Sequence, residues 1–135
     1  MDAVLEAGFD GIYMDWVEAY DDPDVKRTAF LNGIEPVGAM FDFIEEIRNY
    51  ARHDSVKRNP DFILVAQNAS DLYERNPGRY KKLIDAIALE AVWYDGDGGF
   101  DDWDDPGGYN VPTNDLYPGW TEEVLEDLEP MKGVM

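Results

Sequence analysis

Apolar and polar positions fall in blocks along this chain, and the spacing within each block predicts an element. Residues 1–8 carry Val4 and Leu5 and end on Gly8, the pattern of a helix closing on a glycine. Phe9 to Val17 is a short apolar run directly after that stop, which predicts a buried parallel strand. Residues 18–35 read as a long connection with an acidic turn at Asp21-Asp22-Pro23-Asp24. Val37, Met40, Phe41, Ile44, Ile47 and Ala51 then keep i, i+3/i+4 spacing, so a helix is predicted over 36–57. Asn59-Pro60-Asp61 breaks it.

A second strand is predicted from Phe62 to Ala66, ending in Gln67-Asn68. Ser70 and Asp71 suit the cap of a short helix. Asn76-Pro77 supplies the N-cap and first-turn residues of another, whose apolar face is Tyr80, Leu83 and Ile84. Ala86 to Trp93 predicts a third strand, interrupted only by Glu90. A last helix starts near Thr121, with Glu122 and Glu123 in its first turn and Val124, Leu125 and Leu128 facing inward. Strands alternating with helices predict an α/β fold with a parallel sheet. A doubly wound sheet and a TIM barrel both fit that order. No glycine-rich phosphate loop follows any strand, which counts against a nucleotide-binding doubly wound fold.

Composition narrows the function classes. The 135 residues hold 30 acids against 11 bases, a net charge of −19. Such a surface repels phosphate backbones, so nucleic acid is not an expected partner. Two readings of the charge stand side by side: a solvated acidic surface, and adaptation to high salt, where screening weakens carboxylate repulsion. Cysteine is absent, which excludes disulfides and thiolate chemistry. His53 is the only histidine, so neither a catalytic triad nor a histidine-based metal site is expected. No cofactor is expected. No apolar run is long enough to span a membrane, and the opening Met1-Asp-Ala-Val-Leu-Glu is unlike a signal peptide.

Two carboxylates stand out by position. Asp15 lies near the C-terminal end of the first predicted strand, and Glu90 lies within the third. A carboxylate in an apolar strand is costly unless it is paired, protonated or open to a cleft. In a barrel the C-terminal strand ends form the active site, and alternate strands face one cavity, so these two acids can converge. Paired carboxylates are what glycosidic hydrolysis needs: one protonates the leaving oxygen, the other attacks or activates water. The apolar neighbours Leu89, Ala91 and Trp93 suit Glu90 to proton donation, which leaves Asp15 as nucleophile. In the plain structural alternative, Asp15 caps the next segment and Glu90 pairs with a nearby Lys or Arg. Asn68 could bind sugar hydroxyls or serve as a turn residue. Tyr13, Trp16, Tyr20, Trp93, Tyr94, Trp103 and Tyr109 are candidates for sugar stacking, against core packing for at least half of them. The acidic stretch 95–105 invites a Ca²⁺ reading. It has Phe100 and Pro106 where an EF-hand loop needs Gly and Glu, so a solvated loop is the simpler expectation.

The segments GFDGIYMDWVEAY (8–20), PDFILVAQNASDLY (60–73) and DAIALEAVWYDG (85–96) together resemble the endo-α-1,4-polygalactosaminidase family of glycoside hydrolases. The resemblance runs over roughly residues 1–100, and the three motifs carry it jointly. It implies a (β/α)8 TIM barrel, of which this chain would supply about three parallel strands with flanking helices and a long acidic loop over 94–120. It also implies Asp15 and Glu90 as the catalytic pair and a galactosamine-containing polysaccharide as substrate; from the residues themselves, Asn68, Tyr13, Trp16 and Tyr94 are the expected substrate-binding side chains. A whole barrel takes about 250 residues. The chain is therefore expected to be a single incomplete barrel domain over 1–135, inactive alone and prone to self-association through uncovered edges. A longer parent would be extracellular or in the cell envelope. A non-catalytic carbohydrate-binding or structural β/α domain from a halophile is the alternative, and a Ca²⁺-tuned interaction domain around 95–109 is a third.

Overall fold

A computed structural model describes residues 1–95, 111–113 and 117–132; at 94, 95, 111 and 112 it describes the backbone alone. The chain divides into two compact units, Met1–Ala88 and Leu89–Gly133. The first opens with helix α1 (Asp2–Glu6), after which Gly8 turns the chain at φ 80°. Strand β1 (Gly11–Met14) follows, then a 3-10 helix (Val17–Asp21) and helices α2 (Pro23–Leu31) and α3 (Pro36–Asn49). A π-helical turn (Tyr50–Asp54) ends α3 short of the predicted residue 57. Strand β2 (Ile63–Gln67), helices α4 (Asp71–Arg75) and α5 (Pro77–Leu83) and strand β3 (Ala86–Ala88) complete the unit.

The three strands form one parallel sheet in the order β1-β2-β3, with Tyr13 opposite Val65 and Val65 opposite Ala86. This is the α/β class that the alternation of elements predicts. Phe62, Leu64 and Ala66 are fully buried, whereas Ile63 between them is 46% exposed. One face of the sheet is therefore packed and the other partly open, with Tyr13 exposed, Val65 half-buried and Gln67 buried on it. Phe41, Ile44, Ala51, Leu72, Tyr80 and Leu83 are among the buried side chains that the helices bring to the core. Gly11 permits the closest approach of β1 to β2, because a Cβ built there would lie 2.8 Å from Ile63 Cβ. Any side chain at position 11 would force the strands apart.

Three helices start by the same device. Asp22 accepts from the backbone N–H groups of Asp24 and Val25 at 2.8 and 3.1 Å, and Pro23 follows it. Glu35 accepts from Val37 and Gly38 ahead of Pro36. Asn76 accepts from Arg79 at 3.1 Å ahead of Pro77. In each case a side-chain oxygen satisfies N–H groups that the helix leaves open, and a proline occupies the position that needs none.

Two expectations need correction. Residues 18–35 are more than a connection, since they contain the 3-10 helix and α2. The third strand stops at Ala88 instead of running to Trp93. Its partner runs out first: Asn68 and Ala69 both turn to φ 56°, and the last bond between the strands is Asn68 N–H to the Ala88 carbonyl at 2.7 Å. Glu90 therefore lies beyond the strand.

In the second unit, the segment after β3 is held by threonines. Thr113, buried, donates its hydroxyl to the Ala91 carbonyl at 2.8 Å and its N–H to the Trp93 carbonyl at 2.9 Å. The Thr121 hydroxyl donates to the Val92 carbonyl. Strands β4 (Tyr94–Asp95) and β5 (Val111–Pro112) pair antiparallel. Helix α6 (Trp120–Leu128) follows, with Val124 and Leu128 half-buried and Leu125, against expectation, exposed. A 3-10 turn (Glu129–Met131) closes the described residues. The stretch 96–110, with the candidate Ca²⁺ loop, Trp103 and Tyr109, lies outside the described residues.

Candidate functional site

Asp15 is the first residue past the end of β1, and its side chain is exposed. It does not cap the next segment. The residue at the start of the 3-10 helix is Trp16, and no side chain caps it. Among the described residues the Asp15 carboxylate makes no hydrogen bond or ion pair. Tyr13 and Trp16 on either side of it are 55% and 58% exposed, so they are available for stacking rather than packed in the core. Tyr20, grouped with them by sequence, is buried instead.

Backbone strain gathers at the strand ends. Trp16 after β1, Asn68 and Ala69 after β2, and Ala91 after β3 all have φ between 52° and 56°. Left-handed backbone is unusual for a non-glycine residue and a clear outlier for one as bulky as Trp16. Such strain persists where the surroundings impose it, and it concentrates at functional sites.

The ends of β1 and β2 are tied to each other by side chains. Asn68 Nδ2 donates to Glu18 Oε1 at 3.1 Å, across 50 residues of sequence. The Tyr20 hydroxyl donates to Asp71 Oδ1. Burial, the hydrogen bond to Asp71 and its negative charge all push the Tyr20 hydroxyl well above its ordinary range, so it stays a donor. Tyr80 is buried nearby, and burial, then the charges of Asp71 and Glu18, raise its hydroxyl likewise. The Tyr80 hydroxyl and Glu18 Oε2 are both buried without a hydrogen-bond partner among the described residues.

Glu90 and Tyr94 belong to the second unit. Glu90 is exposed and lies in an irregular segment, so the apolar wall that a strand position predicted is not built around it. Trp93 is mostly exposed. The Tyr94 side chain lies outside the described residues; its backbone pairs with Pro112. Within the first unit the structure thus brings Asn68 to Glu18, an acid that sequence reasoning misses although it stands three residues after Asp15.

Among the described residues no three of His, Asp and Glu are grouped as metal ligands would be. A groove of about 500 Å³ runs along α2 and α3, lined by Val25, Ala29, Ile34, Met40 and Phe43 with Asp24 at its margin. It includes Tyr20 but not Tyr13, Asp15, Trp16, Glu18 or Asn68. No helix among the described residues is long and apolar enough to cross a membrane.

No family model matches the chain. An uncharacterized protein of Deinococcus radiodurans is 32% identical over 93 residues, which cover 69% of this chain and 26% of that protein. An uncharacterized protein of Thermotoga maritima is 24% identical over 94 residues, 70% of this chain and 27% of its own length. A third, from Methanocaldococcus jannaschii, is 31% identical over 104 residues, 71% of this chain and 26% of its own. The chain spans about a quarter of the length of the relatives it matches.

Proposed function

We propose that this chain supplies the central strands of a (β/α)8 barrel in a glycoside hydrolase, and that Asp15 and Glu90 cleave a galactosamine-containing polysaccharide internally. The observation that carries the reading is the exposed Asp15 carboxylate directly past the C-terminal end of a parallel strand, between exposed Tyr13 and Trp16. Ligands of parallel β/α folds bind at that end of the strands. The aromatic faces offer stacking to a sugar ring, and Asn68 offers an amide to its hydroxyls. The partly open face of the sheet supports a larger barrel, because parallel sheets are ordinarily covered on both faces. Without the remaining strands, that face and the strand edges would drive self-association.

The chemistry asks the two carboxyl groups to flank one glycosidic bond. A separation of about 5–5.5 Å would give retention of anomeric configuration, and about 6.5–9.5 Å inversion. Asp15→Asn and Glu90→Gln in the intact protein each remove a charge at almost constant volume. Each is expected to abolish hydrolysis of a galactosamine polymer while the melting temperature stays within a few degrees. Near-normal turnover in either variant would remove that residue from the mechanism. The exposed Tyr13 and Trp16 also suit a domain that binds sugar without cleaving it. Polymer binding without any turnover by the wild-type protein would favour that second reading.

A further inference from the structure

We infer that Glu18 is the positioning residue of Asn68, fixing which end of its side-chain amide meets a ligand at the strand ends. The ligand's identity rests on the carbohydrate reading above; the positioning does not.

The backbone of Asn68 is already set. It leaves β2 at φ 56°, and its N–H is bound to the Ala88 carbonyl at 2.7 Å. The direction of the amide is constrained by Glu18 Oε1, which accepts from Nδ2 at 3.1 Å. Glu18 is itself held, because its 3-10 helix is anchored by buried Val17 and by Tyr20, whose hydroxyl binds Asp71. A carboxylate accepts and never donates, whereas a glutamine at this place could pair with either end of the asparagine. An acid at position 18 accepts the N–H end of the amide alone.

Stability alone does not explain the acid. Glu18 Oε2 is buried with no partner among the described residues, so the carboxylate loses solvation there for one neutral hydrogen bond. An amide would cost less. A residue kept for fold stability and a residue kept for orientation therefore respond differently to Glu18→Gln.

The test compares wild type, Glu18→Gln, Glu18→Ala, Asn68→Ala and the Glu18→Ala/Asn68→Ala double variant in the intact protein. The first readout is the side-chain amide NMR signal of Asn68. One set of signals is expected in wild type, with shifted or duplicated signals in Glu18→Gln and Glu18→Ala. The second is KM on a galactosamine polymer, expected to rise about 10-fold to 100-fold in both Glu18 variants, with kcat less affected. Glu18→Gln should melt no lower than wild type. The double variant should be no worse than Asn68→Ala, since both changes act through one amide. Unchanged Asn68 signals in Glu18→Ala, or effects that add in the double variant, would overturn the inference. If wild type neither binds nor hydrolyses the polymer, the carbohydrate reading falls and the amide signals still decide the positioning.

Discussion

Asp85 joins two arginines and a backbone N–H on one half-buried carboxylate. Arg52 Nη2 donates to its Oδ1 and Oδ2 at 2.9 and 2.7 Å, Arg48 Nη1 to Oδ2 at 3.2 Å, and the Leu64 N–H to Oδ2 at 2.9 Å. Arg52 also holds the Phe62 carbonyl and Arg48 the Leu83 carbonyl, so the cluster pins the entries of β2 and β3 to α3 and the π turn after it. Burial opposes the Asp85 charge, but the Leu64 N–H and the two guanidinium groups outweigh it and hold the carboxyl below its ordinary 3.8. A depressed folded pKa means that this stabilisation is complete above about pH 4 and is lost as pH falls through the folded value. Asp85→Asn should lower stability by about 2 kcal/mol at pH 7, and the gap to wild type should close in thermal melts taken at progressively lower pH below 4. A constant gap would show that shape, not charge, is what Asp85 contributes. Neither Asp85 nor Glu18 is conspicuous in the sequence. The usable signal for Asp85 is the Arg48/Arg52 pair at i, i+4, a spacing that puts two cations on one helix face. Asp15 is legible because an apolar strand ends beside it. Glu90 is misplaced by sequence because apolar neighbours continue past the point where β2 stops offering bonds.

The helix starts decide what can be read among the elements. Asn76-Pro77 and Pro36 mark α5 and α3 in sequence as they do in the structure. Asp22-Pro23 carries the same mark, yet α2 escapes a reading by periodicity because its apolar residues show no inward face. Ala29 is its one buried side chain, while Phe30 is 83% exposed. A helix that buries so little leans on its cap. Asp22→Ala, Glu35→Ala and Asn76→Ala each remove a side-chain acceptor and should each cost about 1 kcal/mol. In circular dichroism melts of the intact protein, Asp22→Ala is also expected to lower the helical signal before the main transition, because α2 has little packing to replace the cap. Glu35→Ala should not, because Phe41 and Ile44 bury the α3 face. Equal behaviour of the two variants would mean that α2 is held by contacts other than its cap.

At the scale of the whole chain, the excess of acid governs the electrostatics. A charge of −19 on 135 residues repels itself when compact. The Debye length shrinks from about 10 Å at 0.1 M to about 3 Å at 1 M salt. The melting temperature is therefore expected to rise from low salt to molar KCl, and a flat or falling profile would reject self-repulsion as a limit on stability. The ion pairs of the surface pull the other way, but pairs such as Lys26–Asp21 are exposed and contribute little. Composition leads to this expectation directly. Periodicity leads to the parallel sheet and its strand neighbours. Neither reveals the division after Ala88.

Gly11 then acts as the zero mark of a ruler. It lies opposite Ile63 with no room for a Cβ, and β1 and β2 advance together from that origin at about 3.3 Å per residue. Asp15 and Gln67 are each four graduations along, on scales that share one origin. A slip of one graduation would offset Asp15 from the neighbouring strand end by about 3.3 Å. The tolerance of the strand ends is thus machined about 13 Å away, by a hydrogen atom where every other residue would place a carbon.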